Sequence, residues 1–171
     1  MDPHYAIRLG RLSDVPLLAE VERAAASLFA PYGLAEPFSE TTAPDKLELA
    51  AREGRLWVAV DAQHEVVGFA LASEVDGNAH LDEIDIHPEH GRRGIGSALI
   101  DAVVAWARLQ RHRALTLNTM RDVPWNAPYY ERLGFVILPD DELPPALAEL
   151  RRREVEHGLP GERRVSMRRA L

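Results

Sequence analysis

The segment from Ile84 to Ala98 holds the residues whose types and spacing most clearly point to chemistry. Ile84, Asp85 and Ile86 have strand character. Gly91, Arg92, Arg93, Gly94 and Gly96 form a Gly/Arg-rich turn, and Ser97 and Ala98 open a helical pattern. A helix start offers unpaired backbone N–H groups and the positive end of its dipole, which together suit a diphosphate. Gly94 and Gly96 lack a Cβ, so an anion can approach the backbone closely. Arg92 and Arg93 add positive charge beside it. The P-loop pattern is excluded, because its spacing and lysine are missing. The dinucleotide fingerprint is excluded too, because no third glycine follows Gly94 and Gly96, and the chain does not start as a parallel βαβ unit.

The elements that must position this loop can be read from periodicity. Tyr5–Leu9 alternates as a strand, and Ser13-Asp14 is a plausible cap for a helix carrying Val15, Leu18, Val21, Ala25 and Leu28. That helix should end near Pro31–Gly33, and after a loop over Ala35–Thr42 a second helix is expected from Pro44 to Arg52. Leu56–Val60, Glu65–Ser73 and His80–Ile86 read as three strands, with a hairpin signal at Asp76-Gly77-Asn78. Their connections are too short for crossover helices, so they form an antiparallel meander.

Beyond the loop, Ile95, Leu99, Ala102, Val103 and Trp106 fall on one helical face. A strand over Ala114–Leu117, a short helix over Asn126–Arg132 and a strand over Phe135–Leu138 follow. A late helix over Pro144–His157 and a last strand over Arg164–Arg168 complete the order. The expected fold is α/β, with a mixed, mostly antiparallel central sheet flanked by helices, in one domain over residues 1–171.

Composition narrows the chemistry. Cysteine is absent, which rules out disulfides, thiolate metal ligands and a cysteine nucleophile. Residues 1–150 carry a net charge of −11 and residues 151–171 carry +4. An acidic body disfavours nucleic acid and favours cationic small partners, while the arginines of the tail alternate with glutamates and read as a solvated helix and strand. No run approaches the length of a membrane span, and residues 1–5 show no basic region followed by an apolar run. A cytoplasmic protein with no membrane partner is the expectation.

The loop resembles the acyl-CoA-binding motif Q/R-x-x-G-x-G/A of the GNAT N-acetyltransferase superfamily. The resemblance implies that Ile84, Asp85 and Ile86 lie along pantetheine and that Arg92, Arg93, Gly94, Ile95, Gly96 and Ser97 cradle the pyrophosphate. The Q/R position is Gly91 here, so that contact passes to Arg92 or Arg93 or is absent. The run Tyr130-Glu131-Arg132-Leu133-Gly134-Phe135 resembles the end of the family's later motif. Its Asn and Ala offsets fall on Val123 and Asn126, which departs from the usual form. The order of elements also matches from residue 5 to about 170, with the Pro144–His157 helix as an addition. Family members often dimerise, so a homodimer is an open expectation.

Direct transfer from a thioester to an amine needs a base, a polarised carbonyl and an acid for the leaving thiolate. Tyr130 matches the family's thiolate-protonating tyrosine, with Tyr129 the adjacent fallback. Base candidates are Glu83, then Asp85 and Asp82. Glu22 is a candidate for the acceptor side, its plainer alternative being an exposed helix glutamate. Asn126, and after it Asn118, are candidates to hydrogen-bond the donor. His80, His87 and His90 are read as surface histidines, no metal is expected, and Trp125 is read as packing. The resemblance implies an N-acetyltransferase that moves an acetyl group from acetyl-CoA to a primary amine, and the acidic body favours a small, cationic one. Rival readings are a non-catalytic acyl-CoA sensor and an acetyltransferase of protein N-termini or lysines.

Overall fold

The computed structural model describes Asp2 and residues 4–171; the expectation drawn from the start of the chain touches Met1 and Pro3, which lie outside the described residues. Among the described residues there are seven strands: β1 (Ala6–Leu9), β2 (Leu56–Val60), β3 (Val66–Val75), β4 (Asn78–Ile86), β5 (Ala114–Met120), β6 (Val136–Ile137) and β7 (Arg164–Ala170). Five α-helices accompany them: α1 (Val15–Ala26), α2 (Pro44–Arg52), α3 (Ile95–Leu109), α4 (Ala127–Arg132) and α5 (Pro145–Glu156). Hydrogen-bonded strand neighbours run in the order β1-β2-β3-β4-β5-β7-β6. The β4–β5 pair is parallel, while β1–β2, β2–β3, β5–β7 and β6–β7 are antiparallel. The fold is therefore mixed α/β with a mostly antiparallel central sheet, and the order of strands and helices agrees with the periodicity reading.

Contacts divide the chain into two compact units. The first comprises the residues up to Ser73 together with Asp82–Ala105. Its core joins Val15, Leu18 and Val21 of α1 and Leu47 and Ala50 of α2 to Leu56, Val58, Val60, Phe69 and Leu71 of the sheet. Fully burying a side chain of the size of Leu or Phe stabilises by roughly 1.5–3 kcal/mol, so this cluster fixes both helices against the strands. Asp14 does not cap α1 with its side chain as expected. Its carboxylate instead accepts the fork of Arg8, at 2.6 and 2.9 Å, and the N–H of Arg11 at 2.7 Å. Leu28 falls beyond the end of α1, in a 3₁₀ turn over Ser27–Tyr32, and is exposed. On α3 the buried stripe takes in Ile100, Val104 and Ala107 besides Ile95, Leu99 and Val103, while Ala102 and Trp106 are only half-buried.

The second unit comprises Glu74–Leu81 and Trp106–Leu171. Asp76 and Gly77 both have positive φ, +49° and +71°, which is the two-residue turn that the right-handed twist of a hairpin prefers. The Asp76 carboxylate accepts the N–H groups of Ala146 and Leu147 at 3.2 and 2.9 Å, so it caps the first turn of α5. Leu147 is buried, and Glu154 of α5 binds Asn118 of β5 and Arg164 of β7. The late helix thus packs onto the β5–β7 ladder. Among the described residues no helix is long and apolar enough to cross a membrane.

Candidate functional site

β4 leads directly into the Gly/Arg loop. A 3₁₀ turn over Pro88–His90 follows the strand, Gly91 is extended, and Arg92 and Gly94 take left-handed conformations at φ +58° and +79°. The first intrahelical bond of α3 runs from Ala98 N–H to the Gly94 carbonyl at 3.1 Å. The N–H groups of Ile95, Gly96 and Ser97 therefore have no acceptor within the helix and remain for an anion. Left-handed residues just before a helix turn successive N–H groups into one concavity, an anion nest. The Ser97 hydroxyl donates to the Gly94 carbonyl at 2.9 Å, so Ser97 offers its backbone rather than its O–H.

The two arginines separate. The Arg93 guanidinium lies 5.8 Å from the centre of the Tyr5 ring and donates to the Glu89 carbonyl at 3.3 Å. Its own carbonyl accepts from Asp2 N–H at 3.1 Å, so Arg93 is committed to the start of the chain. Arg92 is exposed and is the side chain left to meet a phosphate. A Cβ at Gly91 would sit 3.1 Å from the Pro88 carbonyl. The tight 3₁₀ turn therefore leaves little room for the Gln or Arg that the motif usually carries there.

Upstream of the loop, three carboxylates converge. One oxygen each from Glu22 of α1 and from Glu83 and Asp85 of β4 lie within 4.8 Å of one another. Glu22 is buried, not the exposed helix glutamate of the alternative reading. Both of its oxygens accept the Thr42 N–H at 2.9 Å, and Oε1 also accepts the Thr42 hydroxyl at 2.9 Å. Burial pushes the Glu22 carboxyl up, partly opposed by the Thr42 donors and by the charges of Lys46 and Arg23. Asp85 is half-buried as a residue, yet its Oδ2 is out of reach of solvent and has no hydrogen-bond partner among the described residues. Burial first, then the charges of Glu83 and Glu22, hold its carboxyl well above the ordinary carboxylate range. Asp82 turns to Lys46, whose Nζ lies 3.3 Å from Oδ1, while Asp82 Oδ2 is buried with no hydrogen-bond partner among the described residues.

Three contributors escaped the sequence reading. Thr42 had no visible signal in a loop, and Gly68 of β3 permits a close approach, since a Cβ there would meet the Asp85 carbonyl at 2.8 Å. Lys46 did carry a signal, being the only lysine in the chain. An open groove of about 280 Å³ between α1 and α2 is lined by Leu12, Val15, Ala19, Thr42 and Leu47, among others. Thr42, which holds Glu22, forms part of its wall.

Tyr130 and Asn126 belong to the second unit. Tyr130 is buried on α4, with its ring edge-on to Tyr129 at 5.6 Å and to Phe135 at 5.7 Å. The side-chain oxygen of Asn126 accepts Met120 N–H at 3.3 Å, which ties the start of α4 to the end of β5. Asn118 is committed on both sides, donating to Glu154 and accepting from Ser166 at 2.7 Å. Of the three histidines read as surface residues, His80 departs from that expectation. His80 is buried, its Nδ1 2.9 Å from the Thr116 hydroxyl, because β4 and β5 pair in parallel there. His87 and His90 are half-buried, with His90 Nδ1 3.0 Å from the Tyr5 hydroxyl. His87, Glu89 and His90 bring one potential ligand atom each within 4.8 Å of one another, since i and i+3 eclipse on a 3₁₀ turn.

The acetyltransferase (GNAT) family model matches residues 21–135, and the chain belongs to that family. An uncharacterised N-acetyltransferase, ycf52, of Pyropia yezoensis is 29% identical over 100 residues, 56% of this chain and 56% of its own length. A peptidyl-lysine N-acetyltransferase, YjaB, of Salmonella typhimurium is 31% identical over 91 residues, 53% of this chain and 57% of its own. The chain thus spans a little over half the length of these curated relatives. Among solved structures, the PaiA N-acetyltransferase of Thermoplasma acidophilum in complex with coenzyme A aligns with a TM-score of 0.72. That alignment covers 98% of this chain and 99% of the other at 16% identity, a likeness of fold.

Proposed function

We propose that the chain is a cytoplasmic acetyl-CoA-dependent N-acetyltransferase that transfers the acetyl group directly to a small, cationic primary amine. The observation that carries this reading is the convergence of Glu22 of α1 with Glu83 and Asp85 of β4, the strand that runs into the anion-binding loop. The N–H groups of Ile95, Gly96 and Ser97, with Arg92, bind the pyrophosphate of acetyl-CoA, and Ile84–Ile86 line its pantetheine arm. The carboxylates attract an ammonium group and must then deprotonate it. A base for that step works best with a pKa near the working pH. Burial and two like charges raise the Asp85 carboxyl, which makes Asp85 a candidate for that step beside Glu83, the first choice from sequence. Glu83 and Glu22 supply the charge that sets Asp85 and that orients the ammonium.

The neutral amine attacks the thioester carbonyl, a C–N bond forms and the C–S bond breaks. Tyr130 keeps the role its motif implies, giving a proton to the departing CoA thiolate. The apolar groove beside Thr42 supports an acceptor with a hydrocarbon body behind its amine. The test is thiol release from acetyl-CoA across a panel of mono- and polyamines, amino acids and peptides, with product masses recorded. Amine-dependent release with an acetylated small amine supports the proposal. Tight CoA binding without turnover on any acceptor would point to a sensor, and turnover confined to peptides would point to a protein acetyltransferase.

A further inference from the structure

Nineteen of the twenty basic side chains are arginines, whose guanidinium does not lose its proton in proteins. Lys46 is the one side-chain amine in the chain that can become a nucleophile. It sits in the first turn of α2, where the helix dipole disfavours a cation, so helix stability does not account for it. Its ammonium pairs instead with Asp82 on β4, the strand that carries Glu83 and Asp85. Nζ lies 3.3 Å from Asp82 Oδ1, and its charge also acts on Glu22. Asp82 immediately precedes Glu83, whose carboxylate meets Glu22 and Asp85. The Lys46 side chain is half-exposed, 53%, and so is the less confined partner of the pair, whereas the Asp82 side chain is only 12% exposed.

We infer that Lys46 is a self-acetylation site, an internal amine held where the external acceptor binds. This rests on the acetyl-CoA reading above, since the same donor and the same carboxylates do the chemistry. The Lys46 ammonium gives up one proton to a carboxylate of the cluster, and neutral Nζ attacks the thioester carbonyl. The C–N bond forms, the C–S bond breaks, and CoA leaves as a thiolate that takes up a proton. The balance is one acetyl-lysine and one CoA thiol per acetyl-CoA, with one proton released. The modified side chain is neutral, so the ion pair to Asp82 is lost and the cleft becomes more negative by one charge.

The experiment incubates the whole protein with acetyl-CoA and no added amine, and follows its intact mass, with peptide mapping of the adduct. The expected result is one acetyl group, on Lys46, at a per-molecule rate independent of protein concentration. K46R takes up none at that position, and D85N slows the modification about a hundredfold. An adduct that forms equally fast in denatured protein or in D85N overturns the inference, because it is then ordinary chemical acetylation. External amine turnover without a Lys46 adduct also overturns it, while leaving the enzymatic reading intact. CoA binding with neither turnover nor adduct removes both.

Discussion

Replacing Asp85 by asparagine keeps the shape of the side chain and removes its charge, with opposite expected effects on activity and stability. Asp85 shares its site with Glu22 and Glu83, whose oxygens lie within 4.8 Å. At that distance, and with an effective dielectric constant of about 20, each pair of ionised carboxylates repels by about 3.5 kcal/mol. The burial of Oδ2 without a partner adds a desolvation cost to the charged form. Because the folded-state pKa of Asp85 is raised, stability falls as pH climbs from the ordinary carboxylate value to the raised one, and then stays low. D85N should therefore melt higher than the parent protein above that range, by up to a few kcal/mol, and the difference should close towards pH ~4. Turnover should drop by about 10²–10⁴, the usual loss with a general base, which is about 3–5 kcal/mol of barrier. Denaturant melts across pH, paired with kcat/KM for the best amine and calorimetric CoA binding, measure both effects. A D85N enzyme within threefold (roughly 0.6 kcal/mol) of parental turnover, or one less stable than the parent at neutral pH, would refute the reasoning.

Y130F should cut turnover about tenfold to a hundredfold while leaving CoA affinity nearly unchanged; unaltered turnover removes Tyr130 from the mechanism. R92A should weaken acetyl-CoA binding by about tenfold, the scale of one charge-assisted hydrogen bond. R93A should leave affinity nearly unchanged but lower stability by about 0.5–1 kcal/mol through loss of its contact with Tyr5; calorimetry and thermal melts read the pair. D14N should cost about 1–2 kcal/mol at neutral pH, discounted because Arg8 still reaches solvent. The hydrogen bond from Arg8 depresses the Asp14 carboxyl, so its contribution is present above the ordinary carboxylate pKa and is lost as pH falls through the depressed one. Denaturation at neutral and acid pH should show the parent–variant gap closing in acid.

Local patterns carried most of the fold. The β-branched run Leu56–Val60 and the helix Pro44–Arg52 lie where their periodicity puts them, because both bury one continuous apolar surface. The glycine turn after β4 and the start of α3 were equally legible, since glycine placement and a helix start are properties of neighbouring residues. The convergence of Glu22 with Glu83 and Asp85 was less so, because about sixty positions separate them and only the packing of α1 on the sheet brings them together. The division of labour between Arg92 and Arg93 depends on Tyr5, distant in sequence and invisible in the local motif. His80 is buried because β4 is an interior strand at that point, which alternation alone did not reveal. The partners of Asn118, the lesser of the two asparagine candidates, were not legible either, because Glu154 and Ser166 come from far along the chain.

The loop between Ile86 and Ile95 carries the central claim, and a crystal structure with acetyl-CoA or an unreactive analogue tests it most directly. Pyrophosphate oxygens are expected about 2.7–3.2 Å from the N–H groups of Ile95, Gly96 and Ser97, with Arg92 turned onto a phosphate. The thioester is expected beside β4, with its carbonyl within reach of an amine held by Glu22, Glu83 and Asp85. A pyrophosphate bound elsewhere, or a thioester remote from those carboxylates, would contradict the account.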